Sequence, residues 1–223
     1  VIGEPAGWQP FEARAAGYEA WYGTRRGRAA DVAEHALLER LLAPFAGARS
    51  ALEVGCGTGH FTRWLAVRLP RVIGLDRAPA MLTEAQRLRP RLCLIRGDAH
   101  RLPIRSRAVD LCVFVIALEF LEHPAAALAE AVRVAQQGVL ILALNRWSLG
   151  GASRRWGPDA RRPLIGRARD FTGLSLRALA RAAAGSRLRT LRRAGVLFPG
   201  ASPEMVARIP GGDVIGLAME LTA

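Results

Sequence analysis

Lysine is absent from this 223-residue chain: all 32 basic residues are arginine, set against 19 acids, for a formal charge of +13. The absence excludes catalytic constellations of the Asp-Lys-Glu type. An all-arginine set also fits a coding bias better than a specialised binding surface. Cysteine is scarce, with three residues. Cys56, Cys93 and Cys112 fall in or beside expected strands without metal-ligand spacing, so they read as reduced core residues of a cytoplasmic protein. The sequence shows no His/Asp/Glu cluster suited to Mg²⁺, and no metal is expected. Long apolar runs are missing too. The longest, Leu111 to Leu118, falls far short of the roughly 20 residues that cross a bilayer. The chain opens Val1-Ile2-Gly3-Glu4, with no basic segment leading into an apolar one, so no secretory signal is expected. Val1 in place of an initiator Met fits a trimmed start. No pattern sets an oligomeric state.

What is present is ample apolar material, 51% of the chain, enough for one domain with a substantial core. The positive charge is uneven. Residues 1–144 carry 18 Arg against 14 acids, residues 145–195 carry 13 against 2, and residues 196–223 carry 1 against 3. The excess sits in one segment, read as a solvated basic face or as contact with an anionic substrate, lipid headgroups or RNA.

Helices are expected over 11–22, 29–43, 60–69, 79–89, 123–135 and 174–184. Strands are expected over 50–54, 71–76, 92–96, 109–117, 138–144, 187–198 and 213–221. Apolar strands alternating with amphipathic helices imply a parallel sheet with helices on both faces. Residues 145–172 are rich in Gly, Arg and Pro, show no sustained period, and read as a functional or mobile loop. One domain is expected, 1–223. It comprises a helical cap (1–48), a cofactor-binding half (49–145) and an acceptor-side half (146–223) with a variable insertion at 145–172.

The chemistry starts at Ala51-Leu52-Glu53-Val54-Gly55-Cys56-Gly57-Thr58-Gly59. A buried strand stops at a glycine-rich turn that opens into a helix, and the glycines allow a ligand close backbone approach. Asp76 ends the next strand, where a carboxylate can hold ribose hydroxyls. The spacing G-x-G-x-G, with His60 where a dinucleotide fold has glycine and Glu53 ahead of the turn, disfavours a diphosphate. It suits a ligand carrying an amine and a sulfonium.

Glu53-x-Gly55-x-Gly57-x-Gly59, Asp76 and Gly97-Asp98-Ala99 together resemble the motifs of class I S-adenosylmethionine-dependent methyltransferases, of the small-molecule kind, over about 50–145. The resemblance implies a doubly wound α/β, Rossmann-like fold, with seven mainly parallel strands, a final antiparallel hairpin and an N-terminal helical cap. It implies S-adenosylmethionine as cofactor and S-adenosylhomocysteine as product. Asp76 would hold the ribose, with Arg77 and Met81 flanking the adenine. Asp98 and the Ala99 backbone would meet the adenine edge. Gly55 and Gly57, with the backbone around Ala117 and Leu118, would line the methionine part; Cys56 and Gly59 would also belong to the cofactor site, and Glu53 would orient the turn or a water near the ammonium. Tyr18, Trp21 and Tyr22 would close the cap over it. The plain alternatives are a helix cap for Asp76, a turn-former for Asp98 and ordinary packing for the three aromatics.

No catalytic residue is assigned; Tyr18, Glu119 and His123 are candidates. Related small-molecule methyltransferases place Leu-Glu-His at 118–120, but Phe120 stands in the His position here, and His123 before Pro124 also reads as a helix start. Asn/Asp-Pro-Pro-Tyr/Phe is absent and no cysteine follows Pro or Thr, which disfavours base N-methylation and cytosine C5 methylation. Transfer then rests on placement, with a small, apolar or aromatic acceptor attacked at O or C. Asn145-Arg146-Trp147 with Trp156 is expected to form the acceptor pocket or its lid. The alternatives are RNA methylation through the basic 145–195 segment, a non-catalytic S-adenosylmethionine-binding module, and a nucleotide-dependent oxidoreductase. Nucleic acid is disfavoured as a partner but stays open.

Overall fold

Strand residues that are apolar on both sides of the pleat must be covered on both faces, and that is how the core forms. The computed structural model describes residues 7–161, 168–196 and 212–222. Its strands are β1 (Ser50–Val54), β2 (Arg71–Asp76), β3 (Cys93–Arg96), β4 (Val109–Val115), β5 (Ala135–Leu144), β6 (Leu188–Val196) and β7 (Val214–Leu221). They make one sheet in the order β3-β2-β1-β4-β5-β7-β6. The pairs from β1 to β5 are parallel, while β7 runs antiparallel to both β5 and β6. This is the expected seven-stranded, doubly wound sheet with a terminal antiparallel hairpin.

Alternation along β4 shows the two layers. Leu111, Val113 and Val115 face α3 (Arg25–Leu42) and α4 (His60–Arg68), packing with Leu37, Leu41, Phe61 and Leu65. Cys112 and Phe114 face the opposite layer, with α6 (Pro124–Val134) and α8 (Gly173–Ala184) supplying Leu128, Ala131, Leu176 and Ala180. Cys56 and Cys112 are buried, as expected, but Cys93 is exposed at the edge strand β3.

Some boundaries differ from expectation, each for a local reason. The segment 11–22 is not one helix. It divides into α1 (Gln9–Glu12), α2 (Ala15–Tyr18) and a 3-10 turn, Glu19–Trp21, broken at Arg14, whose φ/ψ of −119°/2° leaves the helical region. α3 begins at Arg25 because the Thr24 hydroxyl caps it, accepting the Gly27 N–H at 2.9 Å. β4 stops at Val115, since Ile116 turns to φ +48°. β5 starts at Ala135, three residues early, pairing with Val109 ahead of a register shift.

The insertion is not a structureless loop. Ser148 caps α7 (Leu149–Trp156), and a 3-10 turn follows at Pro158–Arg161. Two of the eight residues of α7 are glycine, which lowers its intrinsic helix preference. Tertiary bonds hold it: Gly150 N–H to Asp213 at 2.9 Å, and Arg154 to Asp170 at 2.6 Å. Parts of the expected cap (1–6), insertion (162–167) and sixth strand (197–198) lie outside the described residues.

Candidate active site

The carboxyl ends of β1, β2, β4 and β5 open into a cavity of about 790 Å³ under the N-terminal helices, inside the range of small-molecule sites. Its floor is the turn after β1. Gly55, Gly57 and Gly59 have φ of +76°, +53° and +75°, left-handed values that a side chain resists. A Cβ on Gly55 would also stand 2.7 Å from the Ala117 Cβ. Asp76 closes the turn. Its Oδ2 accepts the Gly57 N–H at 2.8 Å and its Oδ1 the Ala78 N–H at 2.9 Å. Burial raises the Asp76 pKa, and these backbone bonds oppose the rise.

Glu53 lies beneath the turn, 2% exposed. It accepts a hydrogen bond from Thr62, and burial lifts its pKa to about 8. Asp98 Oδ1 accepts from both the His100 backbone, at 2.9 Å, and the His100 ring, at 2.6 Å, an Asx turn as the plain alternative foresaw. Burial pushes against its ionisation, yet the bonds to His100 bring its pKa down. Asp98 Oδ2 faces Arg77 at 3.6 Å.

The cap is tied to this floor. Glu12 accepts the Ala80 N–H at 3.0 Å, in the first turn of α5 (Pro79–Leu88). Glu19 takes the Thr58 hydroxyl and both contacts of Arg63, each at 3.1 Å. Burial resists the charge on Glu19, but these partners and His60 hold its pKa down at about 2. On the far side Arg26 of α3 meets Asp159 of the insertion at 3.2 Å, so cap and insertion touch across the cavity.

Comparison with known proteins fits this geometry. Residues 52–143 match a family model described as a methyltransferase domain. Malonyl-[acyl-carrier protein] O-methyltransferase from Serratia marcescens is 37% identical over 91 residues, 41% of this chain and 36% of that protein. The enzyme of the same name from Yersinia pestis is 35% identical over 107 residues, 47% of this chain and 40% of its own. Over residues 52–143 the chain is similar to S-adenosylmethionine-dependent methyltransferases of class I. It spans less than half the length of these two relatives. Solved structures agree on the fold: a methyltransferase from Thermotoga maritima superposes with TM-score 0.75 at 22% identity, covering 96% of this chain and 99% of that one. The N-methyltransferase NodS from Bradyrhizobium japonicum, with S-adenosylhomocysteine bound, gives 0.68 at 18%, covering 97% and 98%. The family's cofactor is S-adenosylmethionine.

Of the residues expected at the methyltransferase cofactor site, Tyr18, Trp21, Glu53, Gly55, Cys56, Gly57, Asp76, Arg77, Met81, Gly97, Asp98, Ala99 and Ala117 all line the one cavity. Gly59 does not. Its left-handed φ starts α4, and a Cβ there would press on Leu92 and Ala85 at 3.1 and 3.3 Å. Its role is turn geometry and helix packing.

The catalytic candidates separate. Tyr18 lines the cavity, and burial with nearby Glu34, Asp76 and Glu19 pushes its hydroxyl pKa upward, so it remains a donor. Glu119 is fully buried behind the wall, its Oε1 accepting the Leu144 N–H at 2.5 Å. His123 is exposed just ahead of α6, and its backbone N–H donates to His100 at 3.2 Å. Neither lines the cavity. Trp147 and Trp156 are 69% and 77% exposed and do not line it, contrary to the expected pocket role. The insertion instead sends Arg154 and Asp159 inward.

Of the cavity residues that escaped the sequence reading, two matter most for the chemistry. Glu34 on α3 is 7% exposed, lines the cavity and accepts no hydrogen bond from any described residue; burial raises its pKa to about 8. Its only sequence signal is an acid on the apolar face of α3. Ile116 carries a left-handed backbone, costly for a β-branched residue and typical of strained sites. No sequence pattern announces it.

Proposed function

We propose that this chain transfers a methyl group from S-adenosylmethionine to a small-molecule acceptor, at oxygen or carbon. The observation that carries the reading is one continuous cavity. It runs from the glycine turn and Asp76 to an apolar wall of Ala30, Ala33, Phe61, Ile116, Leu144 and Val214 beneath the cap. Oxygen is favoured by the O-methyltransferase names of the curated relatives.

The residues present fit the cofactor. Each Asp76 oxygen gives one lone pair to the backbone and keeps another for a ribose hydroxyl. A Cβ built on Gly57 would meet nothing nearer than Met81 Sδ at 4.0 Å, leaving an open cradle over the turn. Glu53 is a buried carboxyl with no arginine hydrogen-bonded to it among the described residues, and an entering cation would stabilise its ionised form. Bound S-adenosylmethionine supplies a methyl group activated by its sulfonium.

The protein's part is placement. Asp76, Gly55 and Gly57 hold one end and Met81 the adenine side. Tyr18, Trp21 and Phe120 exclude water, Phe120 braced edge-on against Phe11 with ring centroids 4.8 Å apart. Holding nucleophile and methyl in line supplies about 7–11 kcal/mol in favourable cases. Glu34, with unused acceptor capacity on the acceptor side, is the group able to take a proton from an O–H nucleophile at its carboxylate oxygen.

The basic 145–195 segment gives RNA little support. Arg154, Arg169, Arg187 and Arg192 already bond Asp170, Leu121 O, Val132 O and Glu220. The test is release of S-adenosylhomocysteine over a panel of carboxylic acids, phenols and enols, beside calorimetric binding of S-adenosylhomocysteine. Turnover of any panel member supports the reading. Tight binding with no turnover of any kind favours a binding module, and no binding refutes the cofactor site.

A further inference from the structure

At the rim of the cavity three side chains converge that the sequence leaves far apart. Asp31 and His35 stand one turn apart on α3, and His60 is the first residue of α4. Asp31 Oδ1 lies 3.1 Å from His35 Nδ1 and 2.7 Å from His60 Nε2. One donor atom from each residue lies within 4.8 Å of the other two. We propose that Asp31, His35 and His60 bind a divalent transition-metal ion of the zinc class. This replaces the expectation of a metal-free chain.

The donor set is the first reason. Two imidazoles and one carboxylate suit zinc, cobalt or iron, and three protein ligands leave a position open for water or an acceptor oxygen. Magnesium and calcium prefer all-oxygen sites. Bond lengths of about 2.0–2.2 Å place neighbouring donors about 3.3 Å apart. The widest pair must therefore close by at most about 1.5 Å, within reach of small χ adjustments in Asp31 and the two rings.

The second reason is preorganisation. Tyr22 stacks on the His60 ring at 3.7 Å and 3°. His35 is wedged against Phe61 at 4.9 Å and Trp64 at 5.1 Å. Both imidazoles are thereby fixed in orientation before any ion arrives, and a half-buried site keeps a path for entry. The three side chains are 18–25% exposed.

The third reason is what stands behind the ligands. With a metal on Nε2, His60 must carry its proton on Nδ1. Glu19 Oε2 sits 3.5 Å from that nitrogen, a carboxylate behind a ligating imidazole, the usual outer partner. Arg63 Nη2 is also 3.5 Å from Nδ1, but its guanidinium is already spent on Glu19. Without an ion, one carboxylate oxygen serves both rings. The competitor for the position is the His60 proton. Burial disfavours that charge, yet Glu19 and Asp31 raise the ring's pKa. An ion that displaces the proton would join the cap helix α3 to the helix that follows the glycine turn.

The test uses the tag-free, chelator-stripped 223-residue chain titrated with Co²⁺ and then Zn²⁺, followed by visible absorption and calorimetry. The expected result is one Co²⁺ per chain, with d–d bands that Zn²⁺ bleaches. Asp31→Asn with His35→Gln should abolish the bands. Glu19→Gln should keep them while weakening affinity about 10- to 100-fold, as loss of an outer-shell partner does. His100→Gln should leave them unchanged, since His100 and His123 form the other imidazole pair, 5.8 Å apart. Far-UV dichroism and a cooperative thermal melt verify that the variants fold. The proposal is overturned if the wild-type chain gives no saturable single-site signal. It is equally overturned if that signal survives Asp31→Asn/His35→Gln or disappears with His100→Gln.

Discussion

Replacing Asp76 with alanine removes a carboxylate that serves two masters. In the structure it accepts the N–H groups of Gly57 and Ala78, at 2.8 and 2.9 Å. In the proposed complex it also takes two ribose hydroxyls. Leaving two backbone donors unpaired costs about 1–3 kcal/mol each, a large part of the roughly 5–15 kcal/mol that holds a domain together. The melting temperature should therefore fall clearly. Losing two charged hydrogen bonds to the ribose should cost about 2–4 kcal/mol in binding, which raises the Kd for S-adenosylhomocysteine by roughly 30- to 700-fold. Asp76→Asn separates the roles. Its amide keeps one acceptor oxygen, so it should recover much of the stability while binding stays weak. Calorimetry at a temperature where dichroism shows each variant folded is the assay. A folded Asp76→Ala protein with wild-type affinity would refute the ribose assignment.

Glu53 yields a pH prediction. Its folded pKa of about 8 lies above the ordinary 4.5, so the native state holds a proton the unfolded chain releases. That contribution to stability is complete below about pH 4.5 and is lost as pH rises through about 8. Relative to wild type, Glu53→Gln should gain stability steadily from pH 5 to pH 8 in denaturant titrations; parallel curves would contradict the burial argument. Gly55→Ala forces a side chain onto a φ of +76° and into Ala117. A cost above the roughly 1–2 kcal/mol of a left-handed alanine, with loss of cofactor binding, is expected by melting and calorimetry. Glu119→Gln keeps an acceptor for Leu144 N–H, so turnover and cofactor affinity should stay within about twofold, and a large loss of kcat would restore Glu119 as a catalytic candidate. If RNA were the acceptor, binding would fall steeply with salt; flat salt dependence in a filter assay is expected.

The sequence was most legible where one local rule acts alone. The buried strands around Leu52, Leu75 and Val113 read as short, mostly apolar runs because both faces are covered. The glycine turn and Asp76 read from spacing, because a left-handed turn leaves few residue choices. Legibility failed where distant contacts override local pattern. α7 forms despite Gly150 and Gly151 because Asp213 and Asp170, 63 and 16 positions from their partners, hold it. The cap breaks at Arg14, and β4 stops at Ile116, for reasons no periodicity carries.

By itself, then, the order of residues determined the parallel sheet, the placement of the glycine turn at its carboxyl edge and the acid that follows, because hydrophobic period and backbone freedom are local properties. Only the tertiary structure decided which side chains share a space. It turned Trp147 and Trp156 outward, set Glu119 behind the wall and brought Glu34 into the cavity. It also drew Asp31 and His35 onto His60, because helix packing, not sequence distance, fixes how far apart side chains stand.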